Sequence, residues 1–322
     1  MKNHFVKYPI SYLEDAGFFV AKDGLCLRWY LNFPPLWKKG DPLLILLQGR
    51  AESIDKYDRV TAFFLEKGLA VFRMDWRGQG GSGRMLASAE KGHVDDFATY
   101  VSDLEEMLQG VVLPHEPGKL IFCGHSMGGH LILRYFLEGG KMDAAILVSP
   151  MLSIDTGILS ENVARPIIDF LNRKGLSEKK VPGKRLVNKK DCFARNRLTR
   201  DSEHFYRFRK LLEDHPELKI EEPTWAWVQE AFRSMDRVWK MLEAESLSIP
   251  VLVLSGSADR VVKPKDHLRL MKCLKKGLFH SFPEARHELL METEDVTREM
   301  RLVIEDFFKK YPILARNVAG RP

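Results

Sequence analysis

Short apolar runs of strand length alternate with longer amphipathic stretches along most of the chain. The runs Gly17–Ala21, Leu25–Leu31, Leu43–Gln48, Ala70–Asp75, Leu120–Gly124, Ala144–Ser149, Val251–Ser255 and Leu278–Phe282 predict strands. Helices are predicted over Tyr57–Glu66, Val94–Leu108, Met127–Leu137, Lys265–Leu274 and Val296–Tyr311. In the last of these, Val296, Met300, Val303, Ile304 and Phe307 recur at helical spacing. Such alternation is the pattern of βαβ units wound around a mostly parallel sheet. The rhythm fails between Pro150 and Pro250, where helical patterns, aromatics and dense charge contain no convincing buried strand. The expected architecture is therefore a doubly wound α/β core in two parts, residues 1–150 and 249–322, interrupted by a helical cap over 151–248.

The densest chemical signal lies where the fifth predicted strand meets the third predicted helix. Ile121–Gly129 reads I-F-C-G-H-S-M-G-G, an apolar strand running through G-x-S-x-G into an amphipathic helix. A nucleophile elbow holds its serine on a strained strand-to-helix turn, so it requires small residues two positions before and after, here Gly124 and Gly128. Ser126 is the candidate nucleophile. A serine hydroxyl needs a base beside it and an acid to orient that base, in the chain order Ser, acid, His for this type of fold. Beyond the insertion, Val251–Val262 presents a strand and then Asp259, while Phe279–Leu289 presents a strand and then His287. Both would stand at the C-terminal edge of the sheet, where sites form in open α/β folds. His125, expected to point away from the base position, and His280, within a strand, are competing histidines; Glu284 and Glu288 are competing acids.

Acyl transfer also needs N–H groups aimed at the oxyanion. The backbone N–H of Met127 and that of Arg50, in Q-G-R-A-E-S at Gln48–Ser53, are the candidates. A third glycine-rich segment, D-W-R-G-Q-G-G-S-G at Asp75–Gly83, matches G-x-G-x-x-G. It lacks the helix and second strand of a dinucleotide site and reads as a tight structural loop in which Asp75 and Arg77 are expected to pair. No metal-ligand spacing occurs, so neither metal nor cofactor is implied.

Composition changes the picture only in part. With 322 residues, 45% hydrophobic and 29% charged, the chain is an ordinary globular one, which excludes fibrous and disordered classes. Cys26, Cys123, Cys192 and Cys273 form no C-x-x-C pair, in keeping with a reducing, cytoplasmic setting. The first ten residues, MKNHFVKYPI, lack the apolar stretch of a secretory signal. Charge is more telling. Residues 173–210 hold 14 Lys and Arg against 4 Asp and Glu, a local +10 in a chain of +6, so the remainder is net −4. A basic cap with aromatics suits contact with an anionic membrane surface; with the rest acidic and no recognisable module, no nucleic acid is expected.

Taken together, L-Q-G-R-A-E-S followed by Lys56 and Tyr57, D-W-R-G-Q-G-G-S-G-R, G-H-S-M-G-G-H and T-W-A-W-V-Q-E-A-F-R-S-M-D resemble the lysophospholipase L2 branch of the α/β-hydrolase superfamily, close to monoacylglycerol lipases. Gln48 before Gly49, where monoacylglycerol lipases usually carry His, favours the lysophospholipase branch. The resemblance implies an α/β-hydrolase fold, a Ser126–Asp259–His287 triad with oxyanion donors at Arg50 and Met127, and cleavage of the acyl ester of a lysophospholipid or monoacylglycerol at the inner face of a bacterial membrane. Other α/β-hydrolase activities, on small esters or peptides, and a non-catalytic lipid- or RNA-binding role for the cap are the alternatives.

Overall fold

The computed structural model describes residues 13–156, 160–182 and 193–315. Eight strands form one sheet: β1 (Leu13–Val20), β2 (Cys26–Phe33), β3 (Leu43–Leu47), β4 (Ala70–Met74), β5 (Leu120–His125), β6 (Ala144–Val148), β7 (Leu247–Gly256) and β8 (Leu274–Phe282). Their order is β1-β2-β4-β3-β5-β6-β7-β8, with β1–β2 and β2–β4 antiparallel and all other pairs parallel. The central strands β3, β4 and β6 are buried at every position, which is why they read as unbroken apolar runs instead of alternating ones. Along β3, Leu43, Ile45 and Leu47 enter one core layer while Leu44 and Leu46 enter the other. Helices α1 (Asp58–Glu66) and α8 (Glu294–Lys310) cover the second layer; α2 (Phe97–Met107), α3 (Met127–Leu137) and α7 (Pro264–Met271) cover the first. The sheet is thus doubly wound, as the pattern predicts.

Where element ends differ from expectation, a local cause is visible. Strand β8 begins at Leu274, earlier than the apolar run implies, because exposed Lys275 and Lys276 break the pattern on an edge strand. At the opposite edge β1 starts at Leu13 despite exposed Glu14 and Asp15. Helix α2 starts at Phe97 and not at Val94, because the Asp96 carboxylate accepts from the Ala98 N–H at 2.7 Å and caps the helix there.

Between β6 and β7 the described residues form helices α4 (Glu161–Leu171), α5 (Ser202–Asp214) and α6 (Trp225–Ala244), with only single-residue pairings of Lys180 with Thr224 and of Gly92 with Pro223. Helix α6 is the bridge to the core. Thr224 caps it, and its Trp227, Ala231, Met235, Val238 and Trp239 join the same apolar layer as α2 and α3. In that seam Ser234 Oγ lies 2.7 Å from His130 Nε2 and accepts from Arg134 Nη1 at 2.9 Å.

Burial, with the Arg134 guanidinium beside it, pushes His130 down to about 3, so the imidazole is neutral in the fold. The unfolded chain therefore binds a proton that the native state refuses between the ordinary histidine pKa of about 6.5 and 3. This part of the stability is full above pH 6.5 and falls with pH below it, by about 1.4 kcal/mol per unit. In urea unfolding at pH 7 and pH 5, His130→Asn should therefore lose about 2 kcal/mol less than wild type between the two. Parallel losses would show that His130 does not set this slope.

Candidate active site

Three loops at the C-terminal edge of the sheet bring the predicted residues together. The first is the turn from β5 into α3. Ser126 sits there at φ 51° and ψ −115°, a left-sided conformation that a non-glycine residue adopts only under constraint. The constraint is close packing behind it: a Cβ on Gly128 would lie 2.4 Å from the Leu47 carbonyl oxygen, and one on Gly124 2.5 Å from Ile132 Cδ1. Neither position has room for a larger residue, so helix α3 can lie against β3 and β5 and lift the serine above the sheet.

The other two loops follow β7 and β8. His287 Nε2 is 2.9 Å from Ser126 Oγ, and His287 Nδ1 is 2.7 Å from Asp259 Oδ2. The remaining Asp259 oxygen accepts from the Val261 and Val262 N–H groups at 2.8 and 3.1 Å. Burial opposes ionisation of Asp259, yet the facing imidazole and these N–H groups hold its carboxyl below the usual range. All three side chains are buried, with Ser126 8% exposed, Asp259 8% and His287 3%. A hollow of about 360 Å³ lies elsewhere, between α1, α5 and α8, lined by Arg59, Phe63, Glu203, His204, Arg298 and Arg301; none of the three residues lines it.

Arg50 and Met127 stand in the two segments next to the serine. Met127 is the first residue of α3. Arg50 follows Gly49, whose own Cβ position would fall 3.2 Å from Ser126 Cβ, so this backbone passes directly beside the serine. The Arg50 side chain turns to the segment between β6 and β7, both Nη atoms donating to the Glu221 carbonyl at 2.9 Å over the Trp227 ring, and burial there pushes its pKa down to about 10.

The competing residues have other partners. His280 Nε2 lies 2.7 Å from Glu299 Oε1, and the exposed Glu284 meets Arg200. Glu288 pairs with Lys56 at 2.7 Å. The His125 ring nitrogens meet Glu52 and the His287 carbonyl, the latter 3.2 Å from Nε2, and its ring is tilted against that of His287 with centroids 4.8 Å apart. Sequence reasoning overlooked the cluster to which His125 belongs, with Glu52, Lys56, Tyr57 and Glu288, although Glu52, Lys56 and Tyr57 all stand in the quoted segment after β3.

One expectation is corrected: Asp75 does not pair with Arg77. Asp75 Oδ2 accepts from Arg28 Nε at 2.6 Å and the Gly81 N–H at 2.8 Å, while Oδ1 accepts from Gln48 Nε2 and the Ile54 N–H. Arg77 instead binds Asp103 and Asp23. The glycine-rich loop wraps the carboxylate so tightly that a Cβ on Gly80, at φ +49°, would fall 2.3 Å from it. The two residues stand two positions apart on a tight loop, and their side chains meet different elements. The loop's role is structural, as expected, and Asp75 ties it to the segment that carries Gly49 and Arg50.

An eight-stranded sheet with this topology and a hydrogen-bonded serine, histidine and aspartate at its C-terminal edge defines the α/β-hydrolase fold. The chain belongs to the hydrolase family described as serine aminopeptidase, S33, whose profile matches residues 38–294. It is similar to lysophospholipase L2 of Escherichia coli K12, 31% identical over 92% of this chain and 88% of that one. It also resembles the monoglyceride lipase of Rattus norvegicus, 25% identical over 87% and 89% of the two chains. In fold it matches a soluble variant of monoglyceride lipase from Saccharomyces cerevisiae, with TM-score 0.70 and 18% identity over 94% and 99% of the chains. A thermostable carboxyl esterase from Bacillus coagulans matches with TM-score 0.73 and 17% identity over the same shares.

The buried Asp75 gives a direct test. In Asp75→Asn one of the two oxygens that accept from Arg28, the Gly81 N–H, Gln48 and the Ile54 N–H becomes an amide donor, and each buried donor left unpaired costs about 1–3 kcal/mol. Calorimetry should show a melting temperature lowered by several degrees; an unchanged melt would refute an anchoring role.

Proposed function

We propose that this protein is a serine hydrolase that cleaves the acyl ester of a lysophospholipid, and of a monoacylglycerol, through an acyl-enzyme intermediate. The observation that carries this reading is the unbroken chain of hydrogen bonds from Ser126 Oγ through His287 to Asp259. In the proposed reaction His287 Nε2 takes the Ser126 proton as Oγ attacks the ester carbonyl. Asp259 holds the tautomer with the proton on Nδ1 and stabilises the imidazolium. The N–H groups of Arg50 and Met127 receive the oxyanion. His287 then returns the proton to the departing glycerol oxygen and activates the water that releases the fatty acid. The lipid substrate is supported by the match to lysophospholipase L2 along 92% of the chain.

Contact with a membrane surface is part of the proposal. Val163, Ile167 and Phe170 recur at helical spacing on α4 and are 48%, 42% and 58% exposed, and Arg173 and Lys174 follow them on the surface. Apolar residues beside cations suit a helix lying at the interface of an anionic bilayer. Other cations of the basic stretch are engaged internally: Lys180 with Glu221, Arg200 with Glu292 and Lys210 with Asp214. Residues 183–192 of that stretch lie outside the described residues. No helix among the described residues is long and apolar enough to cross a membrane.

A fluorophosphonate probe should label wild type and not Ser126→Ala, and Asp259→Asn should lower kcat by about 10³ to 10⁴. Equal labelling of the Ser126→Ala variant would remove the nucleophile from this scheme. Fatty acid should be released from lysophosphatidylcholine and monoacylglycerol in preference to short p-nitrophenyl esters and peptides. Turnover of short esters alone would overturn the lipid assignment. Cosedimentation with vesicles should rise with anionic lipid content and drop in Phe170→Asp; indifference to both would exclude α4 as the contact.

A further inference from the structure

Behind the serine lies a set of buried charges that the reaction above does not use. Glu52, 5% exposed, is its centre. Its Oε2 accepts from the Gly49 N–H at 2.6 Å and from the Tyr57 hydroxyl at 2.6 Å, and lies 3.0 Å from His125 Nδ1. Its Oε1 binds Lys56 Nζ, which reaches on to Glu288 Oε1 at 2.7 Å, one residue past the proposed base. On the far side, His125 Nε2 is 3.2 Å from the backbone oxygen of His287.

Elementary donor counting fixes the protons. A carbonyl oxygen only accepts, so His125 Nε2 carries a hydrogen. Glu52 Oε2 already accepts from two donors and Oε1 from an ammonium, so the carboxylate is ionised and cannot donate to His125 Nδ1. That nitrogen carries a hydrogen as well. The groups that face His125 are Glu52, the Tyr57 hydroxyl, Lys56, Glu288 and His287. Two cations, Lys56 and His125, then balance two anions, Glu52 and Glu288, which is how four charges persist in a buried place. Burial works against the charged forms, yet the neighbours hold His125 above its ordinary value and Glu52 well below its own.

The geometry points to Glu52 as a positioning residue that, through a doubly protonated His125, fixes the loop carrying Gly49 and Arg50 relative to the loop carrying His287. This rests on the hydrolase reading above, since it concerns the alignment of the same serine, base and oxyanion donors. One carboxylate bonds to the first loop directly at the Gly49 N–H. It bonds to the second by two routes, through His125 to the His287 carbonyl and through Lys56 to Glu288. Loss of its charge removes the reason for the second proton on His125 and one of the two anions that hold Lys56, so both routes to the base loop lose their charge-assisted bond to Glu52.

Two measurements test this. In Glu52→Gln, near in size but uncharged, kcat should fall about 10²-fold, the scale of a 1 Å misplacement, with KM within threefold of wild type. Glu52→Asp should recover part of the loss, and adding His125→Gln to Glu52→Gln should cost less than the two separate losses combined. In a pH series, ring nitrogen NMR of wild type should show His125 keeping both protons above the ordinary histidine pKa of about 6.5. A folded Glu52→Gln with kcat within threefold of wild type, or a His125 that loses its second proton at or below about 6.5, overturns the inference. If Glu52→Gln does not fold, the NMR result on wild type decides alone. A wild type that hydrolyses no ester while its His125 is doubly protonated overturns the functional reading and not the clamp.

Discussion

Helix α3 must touch the edge of β3. Everything at the site follows from that contact, because the absence of a side chain on Gly128 lets the helix lie against the Leu47 carbonyl and forces Ser126 into its left-sided turn. An alanine there would push the helix outward and lower the serine toward ordinary geometry. The strain is held in place by regular structure on both sides: the Ser126 N–H donates to the Val148 carbonyl, and the Ser126 carbonyl accepts from His130 and Met151. The Ser126 hydroxyl is thus set by backbone contacts, and His287 and Asp259 need only arrive at the same height on neighbouring strands. That β7 and β8 pair in parallel beside β6 delivers Asp259 and His287 there.

Much of this was legible in the chain itself. The buried strands announce themselves as apolar runs, and the G-H-S-M-G segment can be read because strand, glycines and helix all occupy their required places. Asp259 and His287 are legible for the same reason, as polar residues immediately after apolar strands. Edge strands were less so, since Glu14, Asp15, Lys275 and Lys276 face solvent and hide the period of two.

Long-range pairing of charged side chains was the least accessible part. Asp75 and Arg77 are two residues apart and of opposite sign, and nothing local reveals that each finds its partner some twenty-five to fifty residues away. Glu52 has the same character. Its partners His125, at the end of β5, and, through Lys56, Glu288, in the loop after β8, meet it only when the sheet is assembled. Buried electrostatics of this kind depends on topology, whereas apolar periodicity and turn chemistry are written locally.

The segment between β6 and β7 is tied to the loop after β8. Arg286 donates to the carbonyls of Asn196 and Thr199, the Glu288 N–H donates to the Leu198 carbonyl, and Thr199 donates to the Met291 carbonyl. The segment 196–199 therefore brackets His287 on both sides. A segment fastened this way cannot be trimmed or exchanged as a separate module, because the loop bearing His287 would lose its outer wall. A single deletion within this short stretch would reach the residues on either side of His287 through three backbone carbonyls.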